Sequence, residues 1–392
     1  MRKVAIIHYQ PLELYPPVMN IINCLDGDSG PLQDSGPLQL DVYTTYCYAG
    51  VKPYRTSCAM VTIHRLGAKR KQTSFTGRAW HYWRFYFLTL WMLIRTRPFV
   101  VLYFESVSAF PAYVYKRYIH RKSKLFIHYH EYMTPREYEG GMWLVKWFHK
   151  LEKKIYGKAG WISHTNAARM ERFAGDMKGV ALPERLIFPN YPPRSWGREE
   201  KRWDRAEKPW GRDAEGAAAG ELKTVYIGAF SLETMYVKEF AGWVVAQGGA
   251  VSWDIYSLNI TPEARAYIGS LPGDWVKIHP GIDYNDLPEI LAKYDVGLIL
   301  YTGHVPNWVD NAPNKLFEYW SVGLDVWLPH KMTGSLSYVT ATTYPRVVAV
   351  DFQRLEYFDW RAAVDRSGLE YAASPYCCED VYRRLWKLLS EQ

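Results

Sequence analysis

The sequence predicts an α/β protein built of two doubly wound parallel-sheet domains that face a cleft. In each half, short apolar runs alternate with segments of helical periodicity, which is typical of a parallel sheet covered by helices. A proline-rich segment at residues 189–193 separates the halves, and 392 residues is the length of two domains at ~100–200 residues per domain. Ligands of such folds bind outside the carboxyl ends of the strands, where we expect the cleft.

The first predicted domain spans residues 1–193. Its predicted strands cover residues 4–8, 40–45, 60–65, 100–105, 125–128, 160–164 and 185–188. Its predicted helices cover residues 17–25, 79–96, 109–120, 143–156 and 167–173. A tandem repeat of Asp-Ser-Gly-Pro-Leu-Gln at residues 28–39 has the turn-forming composition of a duplicated loop.

The second predicted domain spans residues 222–375, after a linker or exposed loop at 194–221. Its predicted strands cover residues 224–228, 252–257, 275–279, 296–301, 326–329 and 347–350. Its predicted helices cover residues 236–247, 287–294 and 314–322. We expect a last helix, within residues 376–392, to pack back on the first domain.

Several classes of protein are disfavoured by the sequence. The longest nearly apolar stretch, at residues 80–94, contains Arg84 and is shorter than the ~20 residues of a bilayer-spanning helix. The apolar run at residues 4–7 is too short for a signal peptide. The chain has five cysteines and no Cys-x-x-Cys motif, which indicates neither a disulfide framework nor a zinc site. We therefore expect a cytoplasmic protein.

The net charge of +8 is unevenly divided. Residues 1–190 contain 27 Lys and Arg and 13 Asp and Glu, whereas residues 191–392 contain 21 and 27. A basic half indicates either an anionic partner or a solvated basic surface. The nearly all-apolar aromatic segment at residues 80–91 is likewise open to two interpretations: a buried core helix, or an interfacial helix beside Lys69, Arg70, Lys71 and Arg78 that contacts anionic lipid. If the helix is interfacial, we expect the protein to lie on the cytoplasmic face of a membrane.

The segment from Asp310 to Val326 carries the clearest chemistry. It predicts a loop, a helix that begins near Asn314 and a glycine, Gly323, that ends the helix before the next strand. The amide groups and dipole at a helix N-terminus favour an anion, and Lys315 in the first turn strengthens phosphate binding. Glu318, one turn on, is suited to accept hydrogen bonds from a ribose diol.

The run Pro-Asn-Lys-Leu-Phe-Glu-Tyr-Trp-Ser-Val-Gly-Leu at residues 313–324 resembles the carboxyl-terminal signature of glycosyltransferase family 4, whose members have two Rossmann-like domains in the GT-B architecture. Asp310 and Glu318 have the acid-x7-acid spacing of that family's paired-glutamate motif, with aspartate first. Weaker agreement comes from residues 226–228, 286–298, 128–132 and 189–190. The resemblance covers nearly the whole chain.

The resemblance implies a nucleotide-sugar donor in the second domain and a glycan, glycolipid or lipid-linked acceptor in the first. It assigns the ribose to Glu318, the donor sugar to Asp310 and the diphosphate to Lys315 with the backbone near Asn314. His130 would approach the donor as a catalytic residue, and Glu131 would be a base if transfer inverted configuration. Gly228, Lys238 and Asn311 complete the expected donor-binding set. Lys238 lies further along the chain than the basic residues that relatives place after this strand.

The resemblance further implies transfer with retention and without a bound metal or other cofactor. Asp26-Gly27-Asp28 has the form of a metal-binding motif, but it follows a predicted helix and enters the repeat, so no metal site is predicted there. Nucleic acid is not an expected partner, because no recognised module accompanies the charge. Two alternatives stay open: a nucleotide-sugar epimerase of the same architecture, and a catalytically silent binding subunit.

Overall fold

The computed structural model describes most of the chain as two compact units. The described residues are 2–25, 38–47, 51–67, 74–197 and 221–390. Unit 1 comprises Met1–Asn190 and Cys378–Gln392, and unit 2 comprises Tyr191–Cys377. The Asp26-Gly27-Asp28 motif, nearly all of the tandem repeat, the basic triplet at residues 69–71 and the loop at 198–220 lie outside the described residues.

Unit 1 contains a parallel sheet of seven strands within the described residues, in the order β3-β2-β1-β4-β5-β6-β7. The strands are β1 (Arg2–His8), β2 (Leu38–Thr45), β3 (Val61–Leu66), β4 (Val100–Phe104), β5 (Lys124–Tyr129), β6 (Trp161–His164) and β7 (Glu184–Ile187). The central strand β4, Val-Val-Leu-Tyr-Phe, is buried at every position, as expected for a parallel strand covered on both faces.

Six helices of unit 1 precede residue 190 in the described ranges. They are α1 (Pro16–Asn23), α2 (Phe75–Thr96), α3 (Ala109–Val114), α4 (Pro135–Gly140), α5 (Trp143–Glu152) and α6 (Ala167–Asp176). The predicted helix at 109–120 is shorter than expected, because the chain widens into a π-helical turn at Tyr115–Ile119. Ser74, Thr134 and Asn166 cap the starts of α2, α4 and α6 through their side chains, which satisfies amide groups that a helix leaves unpaired.

Unit 2 repeats this plan with a second parallel sheet. Its described strands are β8 (Leu222–Ile227), β9 (Val251–Ser257), β10 (Val276–Pro280), β11 (Val296–Leu298), β12 (Asp325–Pro329), β13 (Thr343–Tyr344), β14 (Val347–Val350) and β15 (Glu370–Tyr371). Six of these form the sheet β10-β9-β8-β11-β12-β14, and β13 pairs with β15 separately. The predicted strand at 296–301 ends early, at Leu298, and Tyr301 makes only an isolated bridge to Met235.

The described helices of unit 2 are α7 (Val237–Ala246), α8 (Pro262–Gly269), α9 (Leu287–Leu291), α10 (Pro306–Val309), α11 (Asn314–Ser321) and α12 (Trp360–Val364). Trp196, in the region expected to be an exposed linker, is instead buried in the core of unit 2, where its ring lies 4.7 Å from that of Tyr284. Burial of the large Trp196 ring explains why this part of the loop packs against unit 2 instead of being exposed.

The last helix, α13 (Cys378–Ser390), returns to unit 1 and packs against α1. Its Trp386 is fully buried, and the indole Nε1 donates a hydrogen bond of 3.1 Å to the carbonyl oxygen of Ile21. The Sγ atoms of Cys24 and Cys378 lie 3.8 Å apart between the two helices. Unit 1 is therefore completed by a segment that follows unit 2 in the chain.

The aromatic helix α2 is buried on one side only, so the interpretation of residues 80–91 as a wholly buried core helix is wrong. Phe85, Tyr86, Thr89 and Leu93 face the core, whereas Trp80, Phe87 and Trp91 are more than half exposed. Among the described residues, no helix is long and apolar enough to cross a membrane. The predicted α/β class with two doubly wound sheets is confirmed.

Candidate functional site

The chain after β8 turns sharply at Gly228, beside the side chain of Lys315. Gly228 has φ +132°, a conformation that L side chains rarely adopt, and a Cβ atom there would lie 2.9 Å from both Cε and Nζ of Lys315. A glycine at this position thus leaves room for the lysine. The phenol of Tyr226 holds the turn by donating a hydrogen bond of 2.8 Å to the carbonyl oxygen of Ala229.

Lys315 lies in the first turn of α11, in a partly buried aromatic setting. Its Nζ donates a hydrogen bond of 3.2 Å to the hydroxyl of Tyr301 and lies 5.5 Å and 5.7 Å from the ring centroids of Tyr226 and Tyr301. Burial lowers the pKa of Lys315, but Tyr301, Tyr226 and Glu318 together raise it by more, so the ammonium keeps its charge. An ammonium has three donors, and the one assigned bond leaves capacity for an anionic ligand.

Helix α11 begins with its amide groups open. Pro313 precedes it with extended backbone and offers no side-chain cap. The Leu316 amide donates to the Pro313 carbonyl oxygen, at 3.0 Å, whereas the amides of Asn314 and Lys315 have no acceptor in the described part of the chain. The helix ends at Ser321, and Gly323 turns the chain out of it, as predicted, with φ +87°. The amide of Leu324 closes this end by donating a 2.9 Å hydrogen bond to the carbonyl oxygen of Tyr319. The positive end of α11 and the Lys315 ammonium thus point to one anion-binding region.

Glu318 lies three residues after Lys315 on the same helix and is 8% exposed. Burial raises the pKa of its carboxyl group to about 7, and the charge of Lys315 acts in the opposite direction. No described residue donates a hydrogen bond to this carboxyl group, so its oxygens are available to a ligand.

The loop before α11 places Asp310 and Asn311 next to its N-terminus. Asp310 is buried, and Asn311 is half-buried with its carbonyl oxygen accepting a 2.6 Å hydrogen bond from Ser335 Oγ. A Cβ at Gly334 would lie 2.2 Å from the carbonyl oxygen of Asp310, so the segment 333–338 packs tightly against this loop. The structure therefore brings Gly228, Lys315 and Glu318 together and holds Asp310, Asn311 and Asn314 on the adjoining backbone.

Lys238 is not bonded to this group in the described part of the chain. It lies in the first turn of α7, exposed, and in the described residues no hydrogen bond or ion pair joins it to Lys315 or Glu318. Its backbone carbonyl accepts a long bond, 3.5 Å, from Tyr267.

In unit 1, His130 follows the carboxyl end of β5 within a buried histidine cluster, which we define as His8, His128 and His130. The His130 ring lies 4.7 Å from His128 and 6.0 Å from His8 and stacks on Phe104 at 5.0 Å. Burial lowers the pKa of His130 well below its usual range, and the neighbouring histidines lower it further. Although Asn190 lies near enough to raise this pKa slightly, neither ring nitrogen meets a described partner in hydrogen-bonding geometry. The ring is neutral.

Glu105 is a residue of this region that sequence reasoning did not single out. It follows β4 with φ +62°, and its Oε1 accepts hydrogen bonds from the amides of His130, at 2.6 Å, and Glu131, at 3.2 Å. Burial, followed by the charge of Glu131, raises the pKa of Glu105 to about 8. Glu131 itself is exposed. The available signal was an acidic residue at the carboxyl end of a parallel strand.

The described residues contain no group of three His, Cys, Asp or Glu side chains that could hold a metal ion.

No protein-family model matches the chain, and no curated protein matches it by sequence. Solved structures do match. Sucrose-phosphate synthase from Thermosynechococcus elongatus is 13% identical with a TM-score of 0.64, over 100% of this chain and 97% of that one. HepE from Anabaena, in complex with UDP, is 10% identical with a TM-score of 0.60, over 100% of both chains. UDP-GlcNAc 2-epimerase from Neisseria meningitidis, bound to UDP-GlcNAc, is 12% identical with a TM-score of 0.54, over 100% of both chains.

At these identities the likeness is one of fold. It confirms the GT-B architecture that the signature at residues 313–324 indicated, and it extends over the whole chain rather than one unit.

Proposed function

We propose that the chain is a glycosyltransferase that binds a nucleotide-sugar donor on unit 2 and transfers the sugar to a glycan, glycolipid or lipid-linked acceptor. The observation that carries the proposal is the group formed by Gly228, Lys315 and Glu318 at the open N-terminus of α11. It offers positive charge and amide donors on one side and a buried carboxyl group on the other. A nucleoside diphosphate presents the complementary phosphates and ribose hydroxyls.

The diphosphate is assigned to Lys315 and the amides of Asn314 and Lys315. As the bond between sugar and diphosphate breaks, negative charge grows on the leaving phosphate and positive charge on the sugar ring. Fixed donors that already point at the phosphate stabilise that charge without reorganising. We therefore expect transfer without a metal, because Lys315 and the N-terminus of α11 supply the positive charge that stabilises the leaving phosphate.

The ribose is assigned to Glu318, and Asp310 to the hydroxyls of the donor sugar. A diol donates hydrogen bonds to a carboxylate and not to both oxygens of a carboxylic acid, so the bound nucleotide favours the ionised form of Glu318. Binding of the donor is thereby coupled to release of a proton from a group whose pKa in the empty site is about 7.

Unit 1 supplies His130 and Glu131 in the proposal. The His130 ring is neutral and its buried nitrogens meet no described hydrogen-bond partner, and the family resemblance assigns this residue to the donor sugar or phosphate. Glu105 is a positioning residue, because its carboxyl group holds the amides of His130 and Glu131. Retention of configuration is proposed from the family resemblance. The cytosol is the proposed compartment, and none of the five cysteines, all of them described, forms a disulfide.

A nucleotide-sugar epimerase is the second candidate, favoured by the likeness to the Neisseria meningitidis epimerase. Both activities need the same nucleotide site, but an epimerase needs no acceptor. Product analysis separates them: a transferase releases free nucleoside diphosphate only with an acceptor or slowly to water, whereas an epimerase interconverts the donor without net release.

The test is titration calorimetry with nucleotide sugars, starting with UDP-sugars because UDP and UDP-GlcNAc occupy two of the similar structures. Nucleotide sugars lack a phosphate that titrates near pH 6, so their affinity reports the protein. We expect affinity to weaken up to about tenfold per pH unit below pH 7, as Glu318 takes up its proton. Glu318→Gln should bind roughly tenfold to a hundredfold more weakly at pH 8 and lack this pH dependence.

The matched control is Glu263→Gln, which removes an exposed carboxylate from the first turn of α8. It should bind like the wild type. Chelation by EDTA should leave both binding and turnover intact. Unchanged affinity and pH dependence in Glu318→Gln would contradict the ribose assignment, and loss of turnover on chelation would contradict metal independence.

A further inference from the structure

We infer that the exposed aromatic face of unit 1 binds the headgroup region of an anionic phospholipid membrane. We define the aromatic face as Trp80, Phe87 and Trp91 of α2 with Trp143 of α5. The inference concerns unit 1 alone and does not rest on the nucleotide site of unit 2.

The three residues of α2 form one stripe. They are separated by seven and four positions, which places them on the same side of a helix, opposite the buried Phe85 and Leu93. Their exposed fractions are 67% for Trp80, 58% for Phe87 and 54% for Trp91. The stripe runs for about 16 Å at 1.5 Å per residue. Large aromatic side chains left exposed in a row mark an interaction surface.

Ring contacts connect this stripe to α5. Phe87 stacks on Trp83 at 5.6 Å, Trp83 meets Phe110 at 6.1 Å, and Phe110 meets Trp147 at 5.6 Å. Trp147 in turn stacks on Trp143 at 6.0 Å, and Trp143 is 67% exposed. The half-buried rings of Trp83, Phe110 and Trp147 thus connect Trp143 to the stripe on α2 within unit 1.

Arginines lie in the same stripe and carry its charge. Arg84, between Trp80 and Phe87, is exposed. Arg95, one turn after Trp91, is also exposed, and its guanidinium lies 5.4 Å from the ring centroid of Trp91. The sequence has ten Lys and Arg and no acidic residue between Asp41 and Glu105. On the α5 side, the contacting helix α4 carries the exposed acidic residue Glu139, so the positive charge of the aromatic face comes from α2.

These observations favour a lipid surface over another protein. Trp side chains are enriched at the boundary between headgroups and acyl chains, and a helix with an aromatic stripe flanked by Arg lies in that plane. A second copy of the chain joined through the same face would bring the arginines of both copies into one interface, which like-charge repulsion opposes. An anionic headgroup layer satisfies the arginines and the aromatic rings together.

The test is sedimentation of the full chain with vesicles of neutral phosphatidylcholine, or of phosphatidylcholine with about one third phosphatidylglycerol. We expect the wild type to bind the anionic vesicles at least roughly tenfold more tightly than the neutral ones. Salt near 0.5 M should weaken binding to the level of neutral vesicles, because it screens the charges.

The triple variant Trp80→Ser, Phe87→Ser and Trp91→Ser should lose roughly tenfold or more of the affinity for anionic vesicles. Trp91→Glu changes one exposed position and should also weaken binding, so the test does not depend on the folding of the triple variant. Arg84→Gln with Arg95→Gln should reduce the preference for anionic vesicles. The matched control, Tyr357→Ser with Arg354→Gln, removes a similar exposed cation–aromatic pair of unit 2 and should change nothing.

Wild-type vesicle binding that the aromatic substitutions leave unchanged would overturn the inference, as would equal binding to neutral and anionic vesicles. Failure of the wild type to pellet would overturn it too. Sedimentation velocity covers the remaining case: a dimer that the triple variant dissociates, without vesicle binding, would assign the face to a second copy of the chain.

Discussion

At the scale of single residues, the buried carboxyl group of Glu318 lowers the stability of the ligand-free protein at neutral and higher pH. It is 8% exposed, and burial raises its pKa to about 7, whereas an unfolded chain ionises glutamate near 4.5. The folded state therefore binds a proton over a range in which the unfolded state has released it. The contribution of this group to stability is full below pH 4.5 and is lost as the pH rises through about 7.

We predict that Glu318→Gln raises the stability of the ligand-free protein at pH 8 by about 2–3 kcal/mol, because an amide cannot ionise in the buried site. At pH 4.5 the variant and the wild type should be equally stable. Chemical unfolding at both pH values measures the difference. Saturating nucleotide sugar should reverse the order at pH 8, since only the wild type gains the ribose contacts.

Titration of the histidine cluster changes stability with pH in the opposite direction to that of Glu318. The effect of Glu318 is therefore measured as the difference between variant and wild type at each pH, from which the histidine contribution cancels. Burial lowers the pKa of His8 to about 4 and that of His128 to about 3. The unfolded chain takes up these protons below about 6.5, so stability falls as the pH drops from there. A gain of Glu318→Gln that stays constant from pH 4.5 to pH 8 would contradict the proposed titration.

Sequence reasoning reached Lys315 and Glu318 because both lie within one contiguous motif. It could not find the phenols of Tyr226 and Tyr301 around Lys315, because they come from two other segments that only the pairing of β8 with β11 brings together. The role of Glu105 could not be predicted from the sequence for a related reason. Its partners are backbone amides 25 and 26 residues away, and its positive φ has no signature in residue type.

At the scale of elements, Trp386 is the largest of the side chains that α13 buries. We predict that Trp386→Ala lowers the stability of unit 1 by roughly 3–5 kcal/mol, the cost of emptying a fully buried tryptophan site. Trp386→Phe should cost less, because it keeps most of the apolar contact and loses the hydrogen bond to Ile21.

Hydrogen exchange followed by mass spectrometry checks this prediction, because it reports each unit separately. Amides of β1 should lose protection in Trp386→Ala, while those of β8 should keep it. Equal loss in both units, or no loss in β1, would show that α13 is not part of the cooperative structure of unit 1.

The strands were the most predictable elements, because strands such as β4 are continuous apolar runs and a parallel strand buried on both faces needs nothing else. Helix α2 shows where the same reasoning stops. Its aromatic residues surround the axis, so periodicity does not distinguish the side that packs from the side that is exposed. That choice depends on α3 and the sheet, which the segment itself does not contain.

At the scale of the whole molecule, unit 2 is inserted into unit 1. The chain passes from one to the other at Asn190–Tyr191 and again at Cys377–Cys378. The rings of Tyr191 and Tyr376, both in unit 2, are 4.9 Å apart, so the two passages lie side by side. We predict that joining Asn190 to Cys378 by a short Gly-Ser linker, without residues 191–377, gives a cooperatively folding unit 1.

Residues 1–190 alone should be less protected from exchange and more prone to aggregate, because the face of α1 that covers Trp386 is left open. Thermal unfolding and exchange of the two chains measure the difference. Equal stability of the linked and the truncated chains would contradict the insertion as a structural requirement.

The return of α13 also sets an order of events at the ribosome. The surface of α1 that receives Trp386 is synthesised early, and about 190 residues of unit 2 follow before α13 exists. At ~5–20 residues per second, that interval is roughly ten to forty seconds. For that time the nascent unit 1 presents an apolar recess to solvent, and a chaperone that binds short apolar segments would find its site there until the last helix leaves the exit tunnel.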